Sequence, residues 1–157
     1  MFPYEKFTIN SFLNPHLVRQ KLLDVVEPPK AIRWGFRQSE KPYEGEIGEH
    51  SFMITRIINY RNSFLPVIKG KISPEGMGSK IEIEMKLHTF VFVFILFWLG
   101  MVGNICIFSL ISIIYEKNFS SGTIIPFLMF IFVFLLTSIA FKTEANIAKK
   151  FLIDLLS

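Results

Sequence analysis

The chain has one cysteine, Cys106, in 157 residues, and Asp, Glu, Lys and Arg together make up only 19%. A lone thiol excludes a disulfide scaffold. A soluble domain is usually about 25% charged, so the composition argues against a purely soluble protein. Metal-binding spacing is missing as well. His16, His50 and His88 are widely separated, and there is no HxxxH, CxxC or carboxylate–histidine cluster. No Gly-x-Ser-x-Gly elbow occurs, and Cys106 sits in an apolar run, where a thiol acts as filler. Gly76-Met77-Gly78-Ser79-Lys80 lacks Walker spacing and precedes a strand pattern, whereas a phosphate loop opens a helix. It reads as a hairpin turn. No catalytic residue, metal or cofactor is therefore assigned, and the chain is not expected to be an enzyme. The net charge of +4 calls for no nucleic acid.

What is abundant is apolar: 51% hydrophobic residues, 18 of them Phe. The excess is concentrated in residues 90–115 and 119–141, runs of 26 and 23 residues without a charge. About 20 apolar residues span a bilayer core of about 30 Å. The pattern predicts a transmembrane hairpin over 90–141, turning at Glu116-Lys117-Asn118. Lys80, Lys86, Lys142, Lys149 and Lys150 flank one side and Lys117 the other. The positive-inside rule then predicts a multi-pass protein of the cell (inner) membrane, with the lipid bilayer around it and both termini cytoplasmic. Met1 to Lys6 contain no apolar run, so no signal peptide is expected. The Asn118-Phe119-Ser120 sequon lies too near the membrane surface to be given weight. Within the hairpin, Gly100, Gly103 and Asn104 are the candidates for helix packing, inside the hairpin or in a homo-oligomer.

Residues 1–89 read as a cytoplasmic α+β domain: an antiparallel β-meander of four to six strands with a helix near its start. Phe7-Thr8-Ile9 suggests the first strand. Asn14-Pro15 suggests a helix start, with Asn at the N-cap and Pro at the first helical position, and Pro28-Pro29 a stop, giving a helix over 14–27. Alternation around Ile32, Trp34 and Phe36, then Tyr43, Gly45 and Ile47, then Phe52, Ile54, Ile58 and Tyr60, then 64–72, marks strands. The clearest is 80–88, with Ile81, Ile83, Met85 and Leu87 on one face and Lys80, Glu82, Glu84 and Lys86 on the other. Glu82 and Glu84 stand about 7 Å apart on that wet face, where alternating charge serves solvation and cross-strand pairing. Arg56 falls in the apolar phase of its strand. It is expected to point inward toward a partner such as Glu46, Glu82 or Glu84, or else to hold an anion.

Residues 142–157 predict a separate amphipathic helix capped at Thr143, with Ile147, Ala148, Phe151, Leu152 and Leu155 as its apolar stripe. It can lie in the lipid interface or fold back on the sheet. The second is preferred, because a sheet with one apolar face needs a cover. The hairpin is thus expected to be inserted before a C-terminal helix.

In this order (Phe7-Thr8-Ile9, the helix at Asn14-Pro15-His16-Leu17-Val18, the meander ending at 80–88, a last helix) the chain resembles the START-like, or helix-grip, domain. The hairpin is a departure from that family. The resemblance implies a cavity between sheet and last helix for a hydrophobic ligand, with Trp34, Phe52, Arg56 and Ile83 as candidate lining. The stretch from Arg56 to Ile68 is also similar to segments of small bacterial membrane proteins of no assigned function. The expected function is a non-enzymatic binding or interaction module, for a hydrophobic ligand or a protein partner. The alternative is a signal-responsive effector whose hairpin oligomerises and perturbs the bilayer.

Overall fold

The computed structural model describes residues 3–29, 41–58, 62–116 and 121–157. Strand β1 (Tyr4–Ser11) leads into helix α1 (Pro15–Val25). Asn14 Oδ1 accepts from the Leu17 amide at 2.9 Å, and Pro15 occupies the first turn, where its missing N–H costs nothing. The strands β2 (Val26–Glu27), β3 (Tyr43–Ile47), β4 (Ser51–Arg56), β5 (Pro66–Glu75) and β6 (Gly78–Leu87) follow, then two long helices, α2 (Thr89–Glu116) and α3 (Ile125–Leu156), joined through a short 3-10 turn at Ser121–Thr123. The fold is α+β, with a six-stranded sheet in the order β1-β6-β5-β4-β3-β2.

The sheet is mixed rather than an antiparallel meander. Val26 and Glu27 pair in parallel with Tyr43 and Glu44, while every other described pairing is antiparallel. These two residues were expected to end the helix. Val26 instead takes φ −115°, ψ 129°, and the chain turns extended two residues before Pro28. The strand expected around Ile32, Trp34 and Phe36 lies outside the described residues, as do Tyr60, Arg61 and the loop at 117–120.

Period-2 alternation is clearest in β5 and β6. Ile68, Ile72, Ile81, Ile83 and Met85 are buried, and the lysines and glutamates between them face outward. Gly76 and Met77 make the two-residue turn between these strands. Gly76 has φ +59°, where a Cβ would be strained, so the segment is the expected hairpin turn. Phe52, Gly70 and Ile83 stand side by side on β4, β5 and β6, and the Phe52 ring lies directly over Gly70. A Cβ at Gly70 would come within 2.1 Å of that ring, so only glycine leaves the aromatic its place.

The hairpin is not inserted before a separate C-terminal helix. α3 runs unbroken for 32 residues, about 48 Å at 1.5 Å per residue, well beyond the ~30 Å of a bilayer core. After Pro126 it meets neither Pro nor Gly. Thr143 is therefore no cap. Its hydroxyl donates to the Ile139 carbonyl at 2.9 Å, inside the helix. The last turns of α3 cover the inner face of the sheet, and Phe141, Ala145, Ala148, Leu152 and Leu156 join the core with Val18 and Leu22 of α1. The buried stripe is rotated from the one read in the sequence. Ala145 and Leu156 belong to it, and Ile147 faces out at 44% exposure. The first half of α3 and nearly all of α2 stand clear of this core, with their apolar side chains exposed, and both helices are long and apolar enough to cross a membrane.

Candidate functional site

The sheet and the long helices meet where β4 ends, where the loop before β5 begins, and where α3 leaves its apolar half. Arg56, at the end of β4, reaches Glu144 on α3 at 2.6 Å. Glu144 is 4% exposed, and Asn62 Nδ2 donates to its other carboxylate oxygen at 3.4 Å. Asn62 Oδ1 in turn accepts from the Phe64 amide at 2.9 Å, fixing the turn that leads into β5. Arg56 does lie in the apolar phase and does take a carboxylate, but one 88 residues away in sequence rather than Glu46, Glu82 or Glu84. Tyr43, across from Arg56 in the β3–β4 register, packs its ring 5.0 Å from that of Phe151. Burial pushes the Tyr43 hydroxyl up to about 12, opposed in part by the Arg56 charge.

Two further contacts fasten α3 to the domain. Lys149 pairs with Glu5 on β1 at 2.7 Å, and Lys21 on α1 donates to the Leu155 carbonyl at 2.8 Å. Lys41 donates to the carbonyls of Leu23 and Val26 where α1 passes into β2. On the outer face, Lys80 pairs with Glu82 at 3.2 Å and Lys86 with Glu84 at 2.8 Å. The Lys86 ammonium and the Tyr4 hydroxyl hold the Glu84 carboxyl below its ordinary value. That face also forms an open groove of about 430 Å³, lined among others by Glu44, Glu46, Thr55, Lys69 and Lys86.

The residues singled out from the sequence do not form one site. Phe52 and Ile83 are core residues, 3% and 0% exposed, packed side by side. Arg56 is half-buried in its ion pair, and Trp34 lies outside the described residues. In the long helices, Gly103 faces α3: a Cβ there would sit 3.7 Å from the Phe130 ring. Gly100 faces open space. Asn104, one turn further on the same side, donates to the Gly100 carbonyl at 2.8 Å within its own helix. Val102 and Cys106, four apart, are the buried side chains of α2 among the described residues. That i,i+4 spacing was present in the sequence, but both sit in a long run that is apolar on nearly every side.

A crevice of about 590 Å³ opens at the junction. Phe64 lines it from the sheet domain, Phe90, Phe94 and Trp98 from α2, and Val133 and Thr137 from α3. The sequence signal for it was Trp98, an indole in the middle of a span rather than at its end. Among the described residues no three His, Cys, Asp or Glu side chains gather as a metal site would need. No known protein family, curated protein or solved structure matches this chain.

Proposed function

We propose that the protein is a two-span integral membrane protein of the cell membrane with both termini on the cytoplasmic side, and that its sheet domain is a non-enzymatic interaction module held rigidly on the bilayer. The observation that carries this reading is the continuity of α3. One helix passes from an exposed apolar half into the core of the sheet domain with no hinge residue between. A bound partner at the sheet is thereby linked mechanically to the hairpin. The order of elements, with a sheet over a long C-terminal helix, supports a likeness to START-like domains. Phe52 and Ile83 pack where that likeness places a cavity, which favours the outer face as the surface for a protein partner.

The test is a spin label on the turn between β5 and β6, at Met77, which is 98% exposed. In reconstituted protein, its distance to a second label on Lys150 and its depth relative to lipid should each be single and narrow. A broad depth distribution, or release of the protein from membranes by carbonate, counts against the reading.

The outward side of α2 favours a second reading, the oligomerising effector. Asn104 is exposed there beside the open surface of Gly100, and its Oδ1 accepts no bond among the described residues. An amide in lipid gains from a partner helix. Growth arrest on expression, relieved by Asn104→Leu, would support this; harmless expression under all conditions would remove it.

A further inference from the structure

The junction crevice holds an unmade hydrogen bond. Thr137 is 4% exposed, and its Oγ1 is buried without a partner. A threonine inside a helix ordinarily returns its hydroxyl to a carbonyl one turn back, as Thr143 does to Ile139. Thr137 lines the crevice and makes no such bond. A buried hydroxyl left unpaired is costly, and Oγ1 is closed off in this rotamer, so a turn of χ1 toward the crevice would be favoured by an acceptor entering there.

Besides Ser63, the rest of the lining is apolar, with four aromatic rings, Phe64, Phe90, Phe94 and Trp98, and Val133 one turn away. The volume, about 590 Å³, falls within the roughly 300–1,000 Å³ of small-molecule sites. Depth identifies the occupant. Thr137 precedes Lys142, the first charge after the apolar run, by five residues, about 7–8 Å along the helix axis. With Lys142 at the headgroups, Thr137 stands at the boundary between headgroup and hydrocarbon. Phospholipid ester carbonyls lie at that level, and they are acceptors with no donors of their own. A free single-chain acid places its carboxylate higher, among the headgroups.

We propose that the crevice binds one acyl chain of a membrane phospholipid, with the Thr137 hydroxyl donating to the ester carbonyl and the chain running past Phe94 toward Trp98. The site gives the interaction module a lipid ligand, and it rests on the two-span membrane reading.

The chain has two tryptophans, so a Trp34→Phe background leaves Trp98 as the only indole fluorophore. Protein in mild detergent is titrated with phosphatidylcholine brominated on one chain. Quenching of Trp98 should saturate near one lipid per protein. Thr137→Val, which keeps the shape and deletes the hydroxyl, should raise the midpoint three- to tenfold, while the outward Phe132→Val leaves it unchanged. Linear, unsaturable quenching, or an unchanged midpoint in Thr137→Val, overturns the site. Equal or tighter quenching by dibromostearic acid overturns the phospholipid assignment in favour of a free fatty acid. Release of the protein by carbonate removes the membrane reading itself, whereas retention with linear quenching removes only the lipid site.

Discussion

From Ile125 to Phe141, α3 carries no charge and turns Leu128, Ile131, Phe132 and Ile139 outward. From Lys142 to Leu156 its outward positions include Lys142, Asn146, Lys150 and Asp154, while Ala145, Ala148, Leu152 and Leu156 are fully buried against the sheet domain. The two halves share one backbone but suit different surroundings. The first half gains nothing from water and, apart from its end at Thr137 and Phe141, is shielded on one side by α2. The second is amphipathic, and its two alanines let the sheet approach closely. Burial within the chain explains only the second half. The first needs an apolar medium, which is why length and composition there point to a bilayer.

The sharpest way to break this contrast is to place the same charge in each half. Leu152→Asp puts an unpaired carboxylate in the core and should cost about 4 kcal/mol or more, unfolding the sheet domain in a thermal melt. Phe132→Asp should leave that melt unchanged and weaken membrane insertion by about 2.5–3.5 kcal/mol, read by carbonate extraction. Equal effects on both assays would show that the halves do not differ in kind.

Next in size is the joint between the halves. Arg56→Met removes the cation from the buried Glu144 carboxylate, which keeps its neutral donor Asn62, and should cost about 2–3 kcal/mol in urea unfolding, less than for a fully buried pair because Arg56 is 27% exposed. Adding Glu144→Leu should restore most of the loss. If it does not, the carboxylate is not the source of the penalty.

Smaller effects appear only at extreme pH, and only in the sheet domain. The Tyr43 hydroxyl, pushed up to about 12, holds its proton in the folded state after the unfolded chain has lost it near 10. Its contribution is complete below pH 10 and is lost as pH rises from 10 to 12, on the order of 2 kcal/mol. Tyr43→Phe should flatten that alkaline limb in a series of melts. The Glu84 carboxyl shifts the other way, below its ordinary 4.5, because of Lys86 and Tyr4. Its stabilisation is present above pH 4.5 and is lost as pH falls through the folded value. Glu84→Gln should make the acid limb slightly shallower, the smallest change of the set, since the group is open to solvent.

Much of this molecule is written locally. Asn14-Pro15 starts α1, Gly76 turns the β5–β6 hairpin, Ile81, Ile83 and Met85 alternate inward, and two uncharged runs form helices long enough to span a membrane. Each follows from neighbours within a few residues, where backbone sterics, capping and hydrophobic period act. Other features depend on groups far apart in the chain. Val26 and Glu27 leave the helix because β3 offers them a parallel partner. Arg56 finds Glu144 because α3 delivers it there. Lys142 and Thr143 looked like a boundary between helices, yet a polar residue cannot end a helix whose amides are already bonded to the turn before. Local pattern was enough for most of the elements and for the apolar length of the two long helices. The continuity of α3, the closing of the sheet by its last turns and the space left at the junction came from the folded chain, because those outcomes depend on which distant surfaces meet.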